Sequence, residues 1–136
     1  MIEYANNIEA ITEEMLDGFF VGWPNPPSHQ AHMRILQGSY SVRFAIDTKT
    51  NRVVGFINAI SDGVLSAYIP LLEVLPQYQK MGIGKALVTR MLTSLQHLYM
   101  IDLLCDPPLQ AYYEKLGMHK ATGVFIRNQA RQNGEL

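Results

Sequence analysis

The sequence predicts a mixed α/β domain, a central mixed sheet with helices on both faces. Three features of the chain lead to this. Strand-like segments interrupted by turn signals fill residues 40–75, a strongly periodic helix follows at 83–98, and a strand–helix–strand series closes the chain. The 136 residues suit one domain, taken as 1–136. At 48% hydrophobic and 17% charged residues, they supply a sizeable core and argue against general disorder.

Taken in order, residues 8–20 carry Ile8, Ile11, Met15, Leu16 and Phe19 at helical spacing, which predicts an amphipathic first helix. Pro24, Pro26 and Pro27 forbid its continuation. Ser28 then caps a second helix through Gln37, with Gly38 as its stop. Residues 40–47 and 52–61 read as strands around a turn at 48–51, and Asp62-Gly63 is a two-residue hairpin signal. A third strand is expected over 64–75, closed by Pro76, which cannot donate a ladder hydrogen bond. In the helix at 83–98, Ile83, Leu87, Val88, Met91, Leu92, Leu95 and Leu98 form one stripe. Residues 99–105 read as a strand buried on both faces. Asp106 N-caps a helix beginning at Pro107, with Gly117 near its end, and a last strand is expected at 123–127.

Composition excludes several classes of function. A net charge of −1 without a basic cluster argues against nucleic-acid binding. No apolar stretch approaches the roughly 20 residues of a membrane span, and the first residues lack a signal-peptide pattern, so a cytoplasmic setting is expected. A lone cysteine, Cys105, permits neither an internal disulfide nor a multi-cysteine metal site. His29 and His32 lie three apart but have no third ligand nearby, so no metal is expected.

The chemistry concentrates in Gln79-Lys80-Met81-Gly82-Ile83-Gly84, between a strand and a helix. Backbone N–H groups at a helix start lack partners and carry the positive end of its dipole. Glycines let a phosphate approach that backbone, and Lys80 and Lys85 add charge, so the turn reads as an anion site. The dinucleotide fingerprint fails because its third glycine position holds Leu87, and the Walker pattern fails because Ala86 follows Lys85. A plain strand-to-helix turn using glycine for packing is the remaining alternative.

The stretch from Leu72-Glu73-Val74-Leu75-Pro76 through Gln79–Leu87 resembles the acetyl-CoA motif of the GNAT superfamily of N-acetyltransferases. Tyr112-Tyr113-Glu114-Lys115-Leu116-Gly117-Met118 resembles that family's second motif at the family's separation. Phe20-Val21-Gly22-Trp23-Pro24 and Ala59-Ile60-Ser61-Asp62 are similar to a subgroup containing plant-type serotonin N-acetyltransferases.

The resemblance implies a GNAT-like acyltransferase fold and acetyl transfer from acetyl-CoA to a primary amine of a small molecule by direct attack. Leu72 and Val74 would hold the acetyl-pantetheine through their backbone. Gln79, Lys80, Met81, Gly82, Ile83, Gly84 and Lys85 would hold the pyrophosphate. Tyr113 matches the tyrosine that protonates the departing thiolate and lies against the cofactor. Many relatives carry an acidic base at positions that here read Tyr68, Ile69, Pro70 and Leu71. Glu73 is the nearest carboxylate and is carried as the candidate base, with a structural partnership as its competing role.

Phe20 and Trp23 are the expected acceptor wall, since aromatic faces suit aryl or ammonium groups. Phe19 is assigned to the core, Asp62 to the hairpin turn and Cys105 to an inert buried position. Relatives often dimerise, so a homodimer is admitted. A CoA-binding sensor without turnover and a protein or peptide N-acetyltransferase are the competing functions.

Overall fold

The computed structural model describes residues 1–135. Alternating apolar residues build a hairpin, β2 (Ser41–Asp47) and β3 (Arg52–Ser61), as the middle of a five-stranded sheet. β3 is buried at seven consecutive positions, 53–59, because both of its faces are covered. β1 (Ile2–Ala5) and β4 (Ser66–Val74) extend the sheet antiparallel on either side, and β5 (Met100–Asp102) joins β4 in parallel. The order is β1-β2-β3-β4-β5.

One face is covered by α2 (Ile83–Ser94), whose Ile83, Leu87, Val88 and Met91 are buried as the stripe predicts. The helix comes so close to β3 that a Cβ on Gly55 would lie 3.1 Å from both Ile83 Cγ2 and Leu87 Cδ1. Glycine is used there for close approach.

The other face carries α1 (His29–Gln37). Its boundaries follow the sequence: the Ser28 hydroxyl accepts from Ala31 N–H at 3.0 Å, and Gly38 N–H donates to the Arg34 carbonyl at 3.0 Å. α1 buries His32 among the rings of Phe19, Phe20 and Phe56, with centroids 5.6, 4.8 and 4.5 Å away. Burial, with His29 nearby, lowers the His32 pKa to about 4.

Several expectations are corrected. Residues 8–20 form only one 3-10 turn, Glu13–Leu16, rather than an amphipathic helix. Ile11, Met15, Leu16 and Phe19 are buried as their spacing suggests. Gly18 at φ 93° and Phe20 at φ 64°, however, break any helical path. β1 is an element that the apolar pattern did not disclose.

The hairpin after β3 is not a two-residue turn. The Asp62 carboxylate accepts from Val64 and Leu65 N–H at 2.8 Å and from Ser66 at 3.3 Å, organising a longer loop, so β4 starts at Ser66. α2 stops at Ser94, and the paired part of 99–105 is only Met100–Asp102, with Met100 40% exposed rather than buried. Beyond it, Pro107–Leu109 begins as a 3-10 turn without a side-chain cap from Asp106 and continues as α3 (Gln110–Glu114). Gly117 at φ 98° ends that helix, with Met118 N–H reaching the Tyr113 carbonyl at 3.2 Å. The strand expected at 123–127 does not form.

Two stability predictions follow from this packing. Gly55→Val overpacks the α2–β3 contact and should lower unfolding free energy by about 1–3 kcal/mol in urea titrations. For His32, the unfolded pKa near 6.5 exceeds the folded value of about 4. Its contribution is therefore complete above pH ~6.5 and is lost as pH falls toward ~4, by up to about 3 kcal/mol. His32→Leu should flatten this part of the pH dependence of the urea midpoint.

Candidate active site

The site begins where β4 and β5 part. Their parallel pairing covers Ser66, Tyr68 and the residue between them, opposite Met100–Asp102, and β4 then continues past the end of β5. On its other side β4 stays bound to β3, and Leu75 N–H donates to the Val54 carbonyl at 2.8 Å. In an antiparallel ladder, alternate residues turn both backbone groups toward the partner strand. Leu71 and Glu73 therefore face β3, while the backbone groups of Leu72 and Val74 turn to the open side. The Val74 carbonyl there accepts from Gln79 Nε2 at 3.0 Å.

A bulge lies just upstream. Asn58 pairs with Leu71 but Ile60 pairs with Tyr68, so β4 carries one extra residue around Ile69 and Pro70. Glu73 lies opposite Phe56, which places its side chain on the α1 face of the sheet.

The chain then turns through Pro76–Tyr78 into the glycine turn. Lys80 at φ 64° and Gly82 at φ 80° curl the backbone. Among the described residues, the N–H groups of Met81, Gly82, Ile83, Gly84 and Lys85 have no hydrogen-bond partner, and the first helical bond is Ala86 N–H to the Gly82 carbonyl. Five convergent N–H groups at a helix start, flanked by the exposed Lys80 and Lys85, form a positive concavity. Nothing lies within 4 Å of a Cβ built on Gly82, so the space above it is open. The Tyr112 hydroxyl stands over Gly84, where a Cβ would come to 3.0 Å from it. Its only sequence signal was its place beside Tyr113 in the same motif.

Tyr113 packs half-buried against the core, its ring edge-on to Tyr112 at 5.1 Å. Burial, with Cys105 and Tyr112 nearby, pushes its pKa up to about 12, so the phenol keeps its proton at neutral pH. Cys105 itself is half-buried.

On the α1 face, a cleft of about 370 Å³ runs between Pro70–Val74 and the loop carrying Phe20, Val21 and Trp23, reaching Gln79. The Glu73 carboxylate accepts from Phe20 N–H at 2.8 Å and Val21 N–H at 3.2 Å. It therefore pins the aromatic loop to β4, a role invisible in sequence because its partners lie 53 and 52 residues away. Phe20 is buried between Trp23 and His32, Trp23 is 38% exposed, and Phe19 belongs to the core. His29 sits apart, 3.3 Å from Asp17 at the surface.

This arrangement fits a ligand with a diphosphate joined to an extended amide-bearing arm. The free N–H groups match the phosphates, and the open side of β4 presents backbone donors and acceptors to the arm. Among the described residues, no group of three or more His, Cys, Asp or Glu could hold a metal ion. No helix among them is long and apolar enough to cross a membrane.

Comparison with known proteins agrees with this geometry. A profile of the Acetyltransferase (GNAT) family matches residues 8–118. The chain is 31% identical over 130 residues to GCN5-related N-acetyltransferase 1, chloroplastic, of Arabidopsis thaliana, covering 89% of this chain and 66% of that protein. It is 27% identical over 111 residues to the uncharacterized N-acetyltransferase ycf52 of Pyropia yezoensis, covering 79% and 63%. The chain thus spans just under two thirds of the length of these curated relatives. A crystal structure of a candidate acetyltransferase from Deinococcus radiodurans R1 superposes with a TM-score of 0.95 at 41% identity, over 99% of this chain and 94% of that one. A GNAT family acetyltransferase from Streptococcus pneumoniae TIGR4 gives 0.71 at 26% identity, over 94% and 98%. The chain belongs to the GNAT acetyltransferase family.

Proposed function

We propose that the chain transfers the acetyl group of acetyl-CoA to a primary amine of a small molecule. One observation carries the reading: a row of five unpartnered N–H groups at the start of α2 leads directly onto the unpaired side of β4. Acetyl-CoA supplies an activated thioester; the residues around it bind, orient and move protons. Met81 to Lys85 hold the pyrophosphate through their backbone, with Lys80 and Lys85 at its rim and the Gln79 side chain closing the turn. Leu72 and Val74 hold the pantetheine amides from the open side of β4.

Tyr113 keeps its proton until pH nears 12 and gives it to the departing thiolate sulfur. Glu73 serves the acceptor. A carboxylate has about four lone-pair sites, and two backbone N–H groups use only part of that capacity. The remainder can accept a proton from the incoming ammonium, directly or through water. Phe20 and Trp23 form the apolar wall of the acceptor cleft, which suits an amine on an aryl or alkyl body. A small acceptor is favoured because the cleft of about 370 Å³ has the size of a small-molecule pocket.

Thiol release from acetyl-CoA with a panel of small primary amines tests the reading. Turnover with at least one is expected; tight CoA binding without turnover by any amine, peptide or antibiotic would refute it. Tyr113→Phe keeps the ring packing and should lower kcat about 100-fold with little change in the KM for acetyl-CoA. The wild-type rate should show no falling limb below pH ~11, since the phenol stays protonated. Equal rates for the two proteins across pH would remove the acid role. Glu73→Ala removes the proton acceptor and frees the aromatic loop, and should lower kcat about 100-fold and raise the acceptor KM about tenfold while sparing the KM for acetyl-CoA.

A further inference from the structure

The glycine turn leaves its backbone groups free, so its shape has to be fixed from elsewhere. Lys80 at φ 64° and Gly82 at φ 80° bend the chain twice in quick succession. A left-handed lysine persists only where its surroundings determine it. The nearer ties are local: Tyr78 N–H donates to the Leu75 carbonyl at 2.9 Å, and the Gln79 side chain to the Val74 carbonyl at 3.0 Å. Among the described residues, Tyr78 is the one member of 76–85 hydrogen-bonded to any part of the chain before Val74. Its hydroxyl donates to Asp47 Oδ2 at 2.6 Å, from 31 residues away.

Asp47 is a fixed acceptor. It closes β2, is only 9% exposed, and pairs with Ile2 of β1 on one side and Arg52 of β3 on the other. Its carbonyl accepts from Asn51 N–H at 2.8 Å, and its Oδ1 accepts from Lys49 N–H at 3.0 Å. The carboxylate is thus oriented by its own hairpin, with Oδ2 left over for the tyrosine. A bond of 2.6 Å has the length of a charge-assisted O–H···O⁻ contact. Both groups respond to it: the Tyr78 hydroxyl is the foremost influence holding the Asp47 carboxyl below its ordinary range, and Asp47 in turn raises the Tyr78 phenol. Neither side chain lines the acceptor cleft or belongs to the row of free N–H groups. The pair is therefore unused by the chemistry proposed above, yet it joins the base of the β2–β3 hairpin to the chain entering the turn.

We propose that Asp47 and Tyr78 are positioning residues for the donor: their bond holds the chain entering the glycine turn so that the N–H groups of Met81 to Lys85 converge on a diphosphate. The bond acts just before the bend at Lys80, where a small rotation would splay the N–H groups that follow. Without it the same groups remain, but they must be ordered when the ligand arrives, and that ordering weakens binding. The inference rests on the acetyl-CoA reading of the turn and adds to it two residues that act on the ligand only through the backbone. Their loss falls on donor affinity, not on the acid or base steps.

Calorimetric titration of the full chain with CoA tests this. Tyr78→Phe keeps the ring and removes the hydroxyl, and should raise the CoA Kd about tenfold. Asp47→Ala should do the same. The double variant should also lose about tenfold rather than about 100-fold, because the two residues act through one bond. Asp47→Asn retains an acceptor oxygen without the charge and should raise the Kd about threefold, which keeps the test open if the harsher variants do not fold. In turnover, the KM for acetyl-CoA should follow the Kd while kcat at saturation stays within about twofold. Far-UV circular dichroism and the urea midpoint establish that each titrated variant is folded, and a change in stability alone would leave the Kd unmoved. Wild-type affinity in a folded Tyr78→Phe or Asp47→Asn would overturn the proposal, as would losses that multiply in the double variant. A wild-type chain that binds no CoA would instead refute the acetyl-CoA reading on which the proposal rests.

Discussion

The parting of β4 from β5 sets the terms for the rest of the site. Their parallel ladder lasts for three residue pairs, and a bulge around Ile69 and Pro70 then sends β4 on alone. An unpaired strand side is ordinarily a liability, because its N–H and C=O groups need partners. Here the opposite side is held to β3 as far as the Leu75–Val54 bond. β4 is therefore rigid along one side and open along the other. Strand backbone so presented offers its groups to an extended amide chain as it would to another strand.

The glycine turn continues the same arrangement without a break. Its free N–H groups follow the open side of β4 after a single 3-10 turn, and the Gln79 side chain, bound to the Val74 carbonyl, ties the two together. Side chains are peripheral to this surface: Lys80 and Lys85 stand at the rim. The paired tyrosines divide the remaining work by direction. Neighbours on a helix point about 100° apart, so Tyr112 covers Gly84 while Tyr113 turns inward toward Cys105. A phenol pushed toward pKa 12 by burial is a weak acid that keeps its proton throughout the neutral range.

What could be read from sequence divides along the range of the interaction. The caps of α1, the stripe of α2, the bounds of β3 and the glycine turn are local patterns, and each lies where its residues indicate. Residues 8–20 misled because periodic apolar spacing reports burial, and a chain can bury Ile11, Met15 and Phe19 without helical hydrogen bonds. Asp62 lies in a turn, as its Asp-Gly pair indicates, but its three backbone bonds stretch that turn beyond two residues. Val124, Phe125 and Ile126 have the composition of a strand, while pairing requires a neighbour that composition cannot name. The Glu73 bonds to Phe20 and Val21 were equally hidden, since nothing in either stretch specifies the other.

Those two bonds connect the halves of the site. Phe20 holds a left-handed backbone at φ 64°, costly for a bulky residue, and its N–H is the closer of the two that Glu73 receives. Gly82 adopts a similar φ of 80° in the glycine turn at no such cost, while Lys80 there, at φ 64°, carries the same cost as Phe20. In the aromatic loop, the strained residue itself donates to the Glu73 carboxylate on β4. That carboxylate thus links the aromatic wall to β4. The glycine turn presents mainly backbone groups, whereas the aromatic loop presents side chains, with Phe20 packed against Trp23 and His32 and its N–H on Glu73. On the proposed function, this division separates the groups that hold the donor from those that shape the acceptor cleft.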